Sequence, residues 1–220
     1  VAILEFPVLF LGATPANTPA LYSMMNHADL TLGTWFPMGG MQQISKAFEK
    51  VAKSVGVSIH YNSEVISITG SGQKIDTVAT ERDVYQCDGI VIAADYQYLE
   101  QTVLDKKFRK YDHKYWESRA MSPSSLLFYL GVKRKLPNLL HHNLFFDTSF
   151  EQHAAEIYEN PQWPSNPLFY ASLSSKTDSS CAPEGCENLF LLMPIAAGMK
   201  DDKALHQQYL DTFIKRIVDR

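Results

Sequence analysis

Residues 34–68 read TWFPMGGMQQISKAFEKVAKSVGVSIHYNSEVISI. Pro37 ends any preceding helix, and Gly39-Gly40 removes side chains just where a new helix opens. From there the apolar residues fall at Met41, Ile44, Ala47, Phe48, Val51, Ala52 and Val55, while Lys46, Glu49, Lys50 and Lys53 take the opposite face. Steps of three and four are the period of an amphipathic α-helix. Gly56 suits the position just past its end. A helix N-terminus with bare backbone before it can face an anionic or planar ligand. On spacing alone, a tight loop with no ligand is the simpler reading.

Outward from this helix the pattern changes. VSIH at 57–60, EVISIT at 64–69, KIDTVAT at 74–80 and VYQC at 84–87 read as short strands, with GSGQ at 70–73 and ERD at 81–83 as turns. Together they predict a small antiparallel meander. GSGQKI starts like a dinucleotide fingerprint but lacks the third glycine and lies between two strands, so it reads as a hairpin turn. GIVIAAD at 89–95 is almost wholly apolar, the signature of a strand covered on both faces, and YQYLEQTVLDKKF follows as a helix.

Residues 1–36 read as helical or irregular, with a helix start around Thr18 and Pro19. Beyond residue 120 come four strand patterns: SSLLFYLGV at 124–132, HNLFFD at 142–147, LFYASLS at 168–174 and ENLFLLMPI at 187–195. A helix capped by Ser149 fits 149–159. DDKALHQQYLDTFIKRIVDR closes the chain with a helix whose apolar face is Leu205, Tyr209, Leu210, Phe213, Ile214, Ile217 and Val218. The expected fold class is α/β of the mixed, α+β kind.

The 220 residues are 45% hydrophobic and 20% charged, enough to bury a substantial core. A net charge of −4, with KRK at 133–135 as the densest basic run, argues against nucleic-acid binding. Three cysteines, Cys87, Cys181 and Cys186, form no zinc spacing and point to a reducing compartment. The seven histidines are scattered. His141 and His142 are adjacent, so in a strand they point apart and chelate one metal poorly; no metal site is expected. No nucleophile motif is present. No apolar run reaches 18 residues; FPVLFLGA at 6–13 is the longest. Val1 opens directly into apolar sequence and Arg220 lies inside a helix with no stop signal, which predicts an interior piece of a longer protein.

The order of FPMGG, amphipathic helix, GVSIHYNSEVISI, meander and DGIVIAAD resembles the central part of flavin-dependent amine oxidase-like proteins. Within them, PVLFLGATPANTPALYSMMNHADLTLGTWFPMGGM, SSLLFYLGV, LLHHNLFF and LSSKTDSSCAPEGCENLFLLMPIA resemble bacterial-type phytoene desaturases; the loop from Asp178 to Cys186 is the most specific piece. The resemblance implies part of an FAD-binding fold at 37–104 and a substrate domain from 1–36 and 105–220. It implies an FAD-dependent enzyme that removes hydrogen from allylic carbons of a long isoprenoid and so extends its conjugation. It also implies cofactor contacts at Val65, following Asn62, through its backbone; at Gly39 and Gly40, where bare backbone approaches the flavin side; and at Ala93, Ala94 and Asp95, where small residues end a buried strand.

The family's N-terminal phosphate-binding glycines and its acid–base candidates fall upstream of Val1, so no catalytic residue is named and the piece alone is expected to bind FAD poorly and to be inactive. The implied partner is a long apolar polyene, taken up by a protein peripheral to the inner, cytoplasmic face of the cell membrane. Leu126, Phe128, Leu168, Phe169, Leu191 and Met193 are candidate walls of its chamber, though alternation lets only some of them face it. Surface left uncovered invites self-association. Two other functions stay open: a related FAD-dependent oxidoreductase acting on another isoprenoid, a retinoid or an amine, and a non-catalytic module that binds apolar ligands.

Overall fold

The computed structural model describes residues 2–5 and 13–219. Apart from Ala13, the apolar run at 6–13 lies outside the described residues. The chain divides into two compact units, Lys50–Ala120 and Val1–Glu49 with Met121–Arg220. The helix read from the opening stretch is α1, Gln42–Ser54, and it carries the boundary. Its end is closed by two bonds, Gly56 N–H to Lys53 O at 3.1 Å and Val57 N–H to Ala52 O at 3.0 Å. None of its residues is buried, and the stripe Met41, Ile44, Phe48, Val51 and Val55 is exposed.

In Lys50–Ala120 the meander forms as β1 (Val65–Ser71), β2 (Lys74–Thr80) and β3 (Val84–Gln86), antiparallel in that order. The register shifts between Thr69 and Gly70, and at Gly70 a Cβ would come 2.0 Å from the Lys74 carbonyl oxygen. Only glycine permits that approach, so GSG is a bulged hairpin turn. VSIH forms no ladder, and neither does GIVIAAD; Val91 is 99% exposed. A strand exists only where a neighbour takes its hydrogen bonds, and among the described residues none lies alongside these two.

The helix expected after Asp95 is broken into a turn at Tyr96–Tyr98, a π-helical turn at Leu99–Val103 and a 3-10 turn at Lys106–Phe108. The break lets Leu104 lie parallel beside Ile68, with Asp105 N–H donating to Ile68 O at 3.0 Å. Ile68, Leu99, Val103 and Leu104 form the small core there. Glu100 is buried against it and accepts from Lys110 N–H at 2.8 Å, Trp116 Nε1 at 3.2 Å and the Tyr96 hydroxyl at 3.3 Å.

The other unit holds the main core. β4 (Ser124–Val132), β5 (His142–Phe145), β6 (Phe169–Ser172) and β7 (Glu187–Ile195) form one antiparallel sheet in the order β4-β7-β6-β5. Two helices accompany it, α2 (Phe150–Tyr158) and α3 (Lys203–Val218). Ser149 caps α2 by accepting from Gln152 N–H at 3.1 Å, and Asp202 caps α3 by accepting from Ala204 N–H at 2.9 Å.

Tyr209, Phe213 and Ile217 of α3 pack with Leu126, Phe145, Phe169, Ala171, Leu189, Leu191 and Met193. Phe213 stacks on Phe169 at 4.3 Å between centroids. Arg216 lies over the Phe169 ring at 4.8 Å, pairs with Asp147 and donates to Pro167 O. Among the described residues no helix is long and apolar enough to cross a membrane.

Candidate functional site

The FPMGG turn and the loop from Asp178 to Cys186 meet within one unit. Asp178 accepts a hydrogen bond from Gly39 N–H, 139 residues earlier, and another from Ser180 N–H at 2.9 Å. The Gly39 amide, followed by the Ser180 side chain and amide, holds the Asp178 carboxyl below its ordinary range. Gly39 has φ of +89° and Gly40 of +91°, and a Cβ on Gly39 would come 2.7 Å from Gln43 Nε2. The glycines therefore let the chain turn sharply into α1. The Gly39 amide already serves Asp178, so the bare backbone at this helix mouth has a carboxylate from the chain itself as its anion.

Beside this joint, Thr177 Oγ1 lies 2.6 Å from His141 Nδ1, and Phe36 meets the His141 ring edge-on at 5.0 Å. The His141 and His142 rings stack at 4.2 Å instead of pointing apart, because His141 stands just outside β5 and is not bound by strand alternation. His142 Nδ1 in turn lies 2.5 Å from the Tyr170 hydroxyl.

The sheet has two unlike faces. Along β7 burial alternates strictly, and Leu189, Leu191 and Met193 are sealed under α3. Of the wall candidates, Leu126, Phe128, Leu191 and Met193 belong to that sealed side, so they are core and do not line a chamber, whereas Phe169 is core and also reaches the cleft under α2. The residues of opposite parity face outward. Leu127, Leu192, Tyr170 and Leu144 pair in one row across all four strands. Tyr129, Phe190, Ser172 and His142 form the next row. At about 4.8 Å per strand each row spans roughly 14 Å. Tyr129 is 76% exposed and Leu127 39% exposed. No Asp, Glu, Lys or Arg stands in either row.

The first row runs into a cleft under α2, of about 350 Å³ including its open mouth, lined by Phe150, Ala154, Ile157, Leu168, Tyr170 and Leu192. Leu168 and Phe169 are thus the sequence-nominated wall residues that line this cleft. The ionisable group of the cleft is His153. Its Nδ1 accepts from Leu168 N–H at 2.9 Å, so Nε2 carries the proton and donates to Pro194 O at 3.0 Å. Burial lowers its pKa, and the ring stands neutral in an apolar wall.

In Lys50–Ala120, Val65 is the first residue of β1 and pairs with Thr80. A polar cleft of about 480 Å³ including its mouth lies at this end of the strands, lined by Asn62, Ser63, Glu64, Thr80, Glu81 and Arg82. Asn62 has φ of +52°. The cleft offers amide, hydroxyl and carboxylate groups with one guanidinium, which fits a nucleoside better than a pyrophosphate. Ala93 and Ala94 are exposed, and Asp95 spends its carboxylate capping the next turn, accepting from Tyr98 N–H at 2.7 Å. Among the described residues no hydrogen bond or ladder joins Val65 to 93–95. Among the described residues no three His, Cys, Asp or Glu side chains could hold a metal ion.

Helices with two antiparallel sheets, one of three strands and one of four, make a mixed α/β architecture of the kind found in FAD-binding amine oxidase-like proteins. The family pattern of flavin containing amine oxidoreductases matches residues 2–212, and the chain belongs to that family. It is 36% identical over 219 residues to a carotenoid 3,4-desaturase of Haloarcula japonica, covering 99% of this chain and 44% of that protein. It is 34% identical over 195 residues to a zeta-carotene-forming phytoene desaturase of Myxococcus xanthus, 88% of this chain and 37% of the relative. A 1-hydroxycarotenoid 3,4-desaturase of a Flavobacterium species is 32% identical over 183 residues, again 37% of its length. The chain spans less than half the length of these curated relatives.

Proposed function

We propose that this chain is the central part of an FAD-dependent carotenoid desaturase that removes hydrogen from allylic carbons of a long polyene, of the phytoene desaturase type. One observation carries the reading: two rows without Asp, Glu, Lys or Arg, built of Leu, Tyr and Phe apart from Ser172 and His142 at one end, across the open sheet face and continuous with a cleft whose histidine is already satisfied. Such a surface gains about 25 cal/mol for each Å² of apolar area removed from water, and offers nothing to a charged ligand. An amine would call for a carboxylate on this face, and the rows carry none.

In the proposed enzyme the bound flavin supplies the hydride acceptor. The chain's own part is to hold the polyene extended, to keep its reacting carbons in place and to exclude water. Val65 through its backbone, with the polar cleft beside it, is assigned to the adenosine side of FAD; Gly39, Gly40, Ala93, Ala94 and Asp95 are assigned to close backbone approach. Residues 37–104 serve the cofactor, and 1–36 with 105–220 serve the substrate. An apolar polyene has to be drawn from a bilayer, so the protein sits peripherally on the cytoplasmic face of the cell membrane. The test is to purify the full-length protein, record its visible spectrum and incubate it with phytoene. Flavin absorbance and an extracted product with longer-wavelength bands are expected; flavin-free protein, or unchanged phytoene with flavin bound, overturns the reading.

A further inference from the structure

The turn that opens α1 is held from outside itself. Phe36 meets the His141 ring edge-on at 5.0 Å, and three residues later Gly39 N–H donates to Asp178. Asp178 is only 4% exposed, yet among the described residues no Lys, Arg or His pairs with it. A buried carboxylate with no cation is costly, and a neutral side chain would tether a loop with less penalty. What the charge adds is a strong hydrogen bond of fixed direction. The loop behind it is anchored to β7. Ser175 N–H donates to Asn188 Oδ1 at 2.9 Å, Asn188 Nδ2 to Ser174 Oγ at 2.6 Å, and Asp178 N–H to Ser174 O at 2.9 Å. One carboxylate therefore fixes the turn against the sheet.

Gly39 and Gly40 share nearly the same backbone, with φ of +89° and +91°, but not the same surroundings. A Cβ on Gly39 would come 2.7 Å from the Gln43 side chain, whereas a Cβ on Gly40 would meet nothing within 4 Å. Gly40 N–H is spent on Pro37 O at 3.0 Å. With both amides used, the turn presents the bare Cα of Gly40 and the open space over it. We propose that Asp178 is a positioning residue for the cofactor: by gripping Gly39 it holds the Gly40 Cα in packing contact with the flat flavin ring. The proposal rests on the assignment of this turn to the flavin side of FAD. Bare backbone packs on a planar ligand only while it stays in place, and a turn free to swing by about 1 Å loses the contact.

The test uses the full-length protein, stripped of flavin and titrated with FAD, read by quenching of flavin fluorescence and by the visible spectrum. Asp178→Ala is expected to weaken FAD binding by about tenfold and to shift the flavin bands. Asp178→Asn, whose amide oxygen still accepts from Gly39 N–H, is expected to stay within about threefold of wild type. A purely structural role would lower the melting temperature of the flavin-free protein and leave the affinity and bands of its folded fraction unchanged; that result overturns the proposal. Gly39→Ala and Gly40→Ala form a second arm should Asp178→Ala not fold. Both force a side chain onto the same left-handed backbone, so they are expected to melt alike. Only Gly40→Ala fills the space over the turn, and it is expected to bind FAD about tenfold more weakly than Gly39→Ala. Equal affinities overturn the proposal. A wild type that takes up no FAD sinks the desaturase reading and this proposal with it, whereas a wild type that binds FAD beside an unaffected Asp178→Ala sinks this proposal alone.

Discussion

Glu187 opens β7 as a carboxylate only 2% exposed, with Lys176 Nζ 2.8 Å away and its second oxygen without a hydrogen bond among the described residues. Lys176 also donates to Leu136 O at 2.7 Å, so one ammonium ties the Asp178 loop to the end of the sheet. Removing one partner of a buried pair strands the other charge. Lys176→Met is expected to cost about 3–5 kcal/mol in urea unfolding, and adding Glu187→Leu to restore most of that loss. A double variant as unstable as the single one would assign the cost to the Leu136 contact instead. The charge pattern of the sequence gives no hint of this pair, because Glu187 is partnered only once the loop from 174 to 186 has folded back.

At the scale of elements, the two faces of the β4-β7-β6-β5 sheet divide the core from the face we assign to the substrate. Phe213 is fully buried and stacked on Phe169, so Phe213→Ala is expected to cost about 3–5 kcal/mol. Phe190 lies on the open face, half-buried, against Tyr129 at 5.2 Å. Phe190→Ala is expected to cost about 1 kcal/mol of stability and to raise KM for the polyene severalfold. Chemical denaturation and steady-state turnover of the full-length protein separate the two effects; equal destabilisation by both changes would remove the distinction between the faces. The strand bounds themselves were legible. SSLLFYLGV and ENLFLLMPI became β4 and β7 end to end, since both are dominated by Leu, Phe, Tyr, Val and Ile and bounded by turn residues, despite Gly131, Asn188 and Pro194 within them. Their parity was not legible, because ENLFLLMPI is apolar at almost every position, and only the docking of α3 chooses a face.

At the scale of the whole molecule, stability is bounded on both sides of pH 7. Burial lowers the His153 pKa, so the neutral ring's contribution is full above about pH 6.5 and is lost as pH falls through the depressed folded value. Burial, with the Glu156 carboxylate behind it, pushes Tyr209 up to about 12, and its hydroxyl donates to Pro164 O at 2.7 Å. The unfolded phenol titrates near 10, so that contribution holds below about pH 10 and is lost as pH climbs toward 12. Thermal melts across pH should therefore fall away on both flanks, with Tyr209→Phe flattening the alkaline one. The exposed stripe of α1 and the uncovered GIVIAAD run predict that the isolated 220-residue chain self-associates, and Phe48→Glu is expected to shift it toward monomer in sedimentation. A wholly monomeric wild-type segment would count against that.

The sequence by itself determined most of the elements, though not at 57–60, 89–95 or 96–108, where a missing neighbour or a bend decided otherwise. The 3-4 spacing gave α1 and α3, period and flanking turns gave the strands, and Gly70 gave the hairpin, because these depend on neighbours a few residues apart. Tertiary structure alone decided the pairings: Asp178 on Gly39, Tyr170 on His142, Lys176 on Glu187, and which face of the sheet α3 would seal. Those contacts join residues 11 to 139 positions apart, and side chains that distant acquire a shared environment only when the whole sheet has closed.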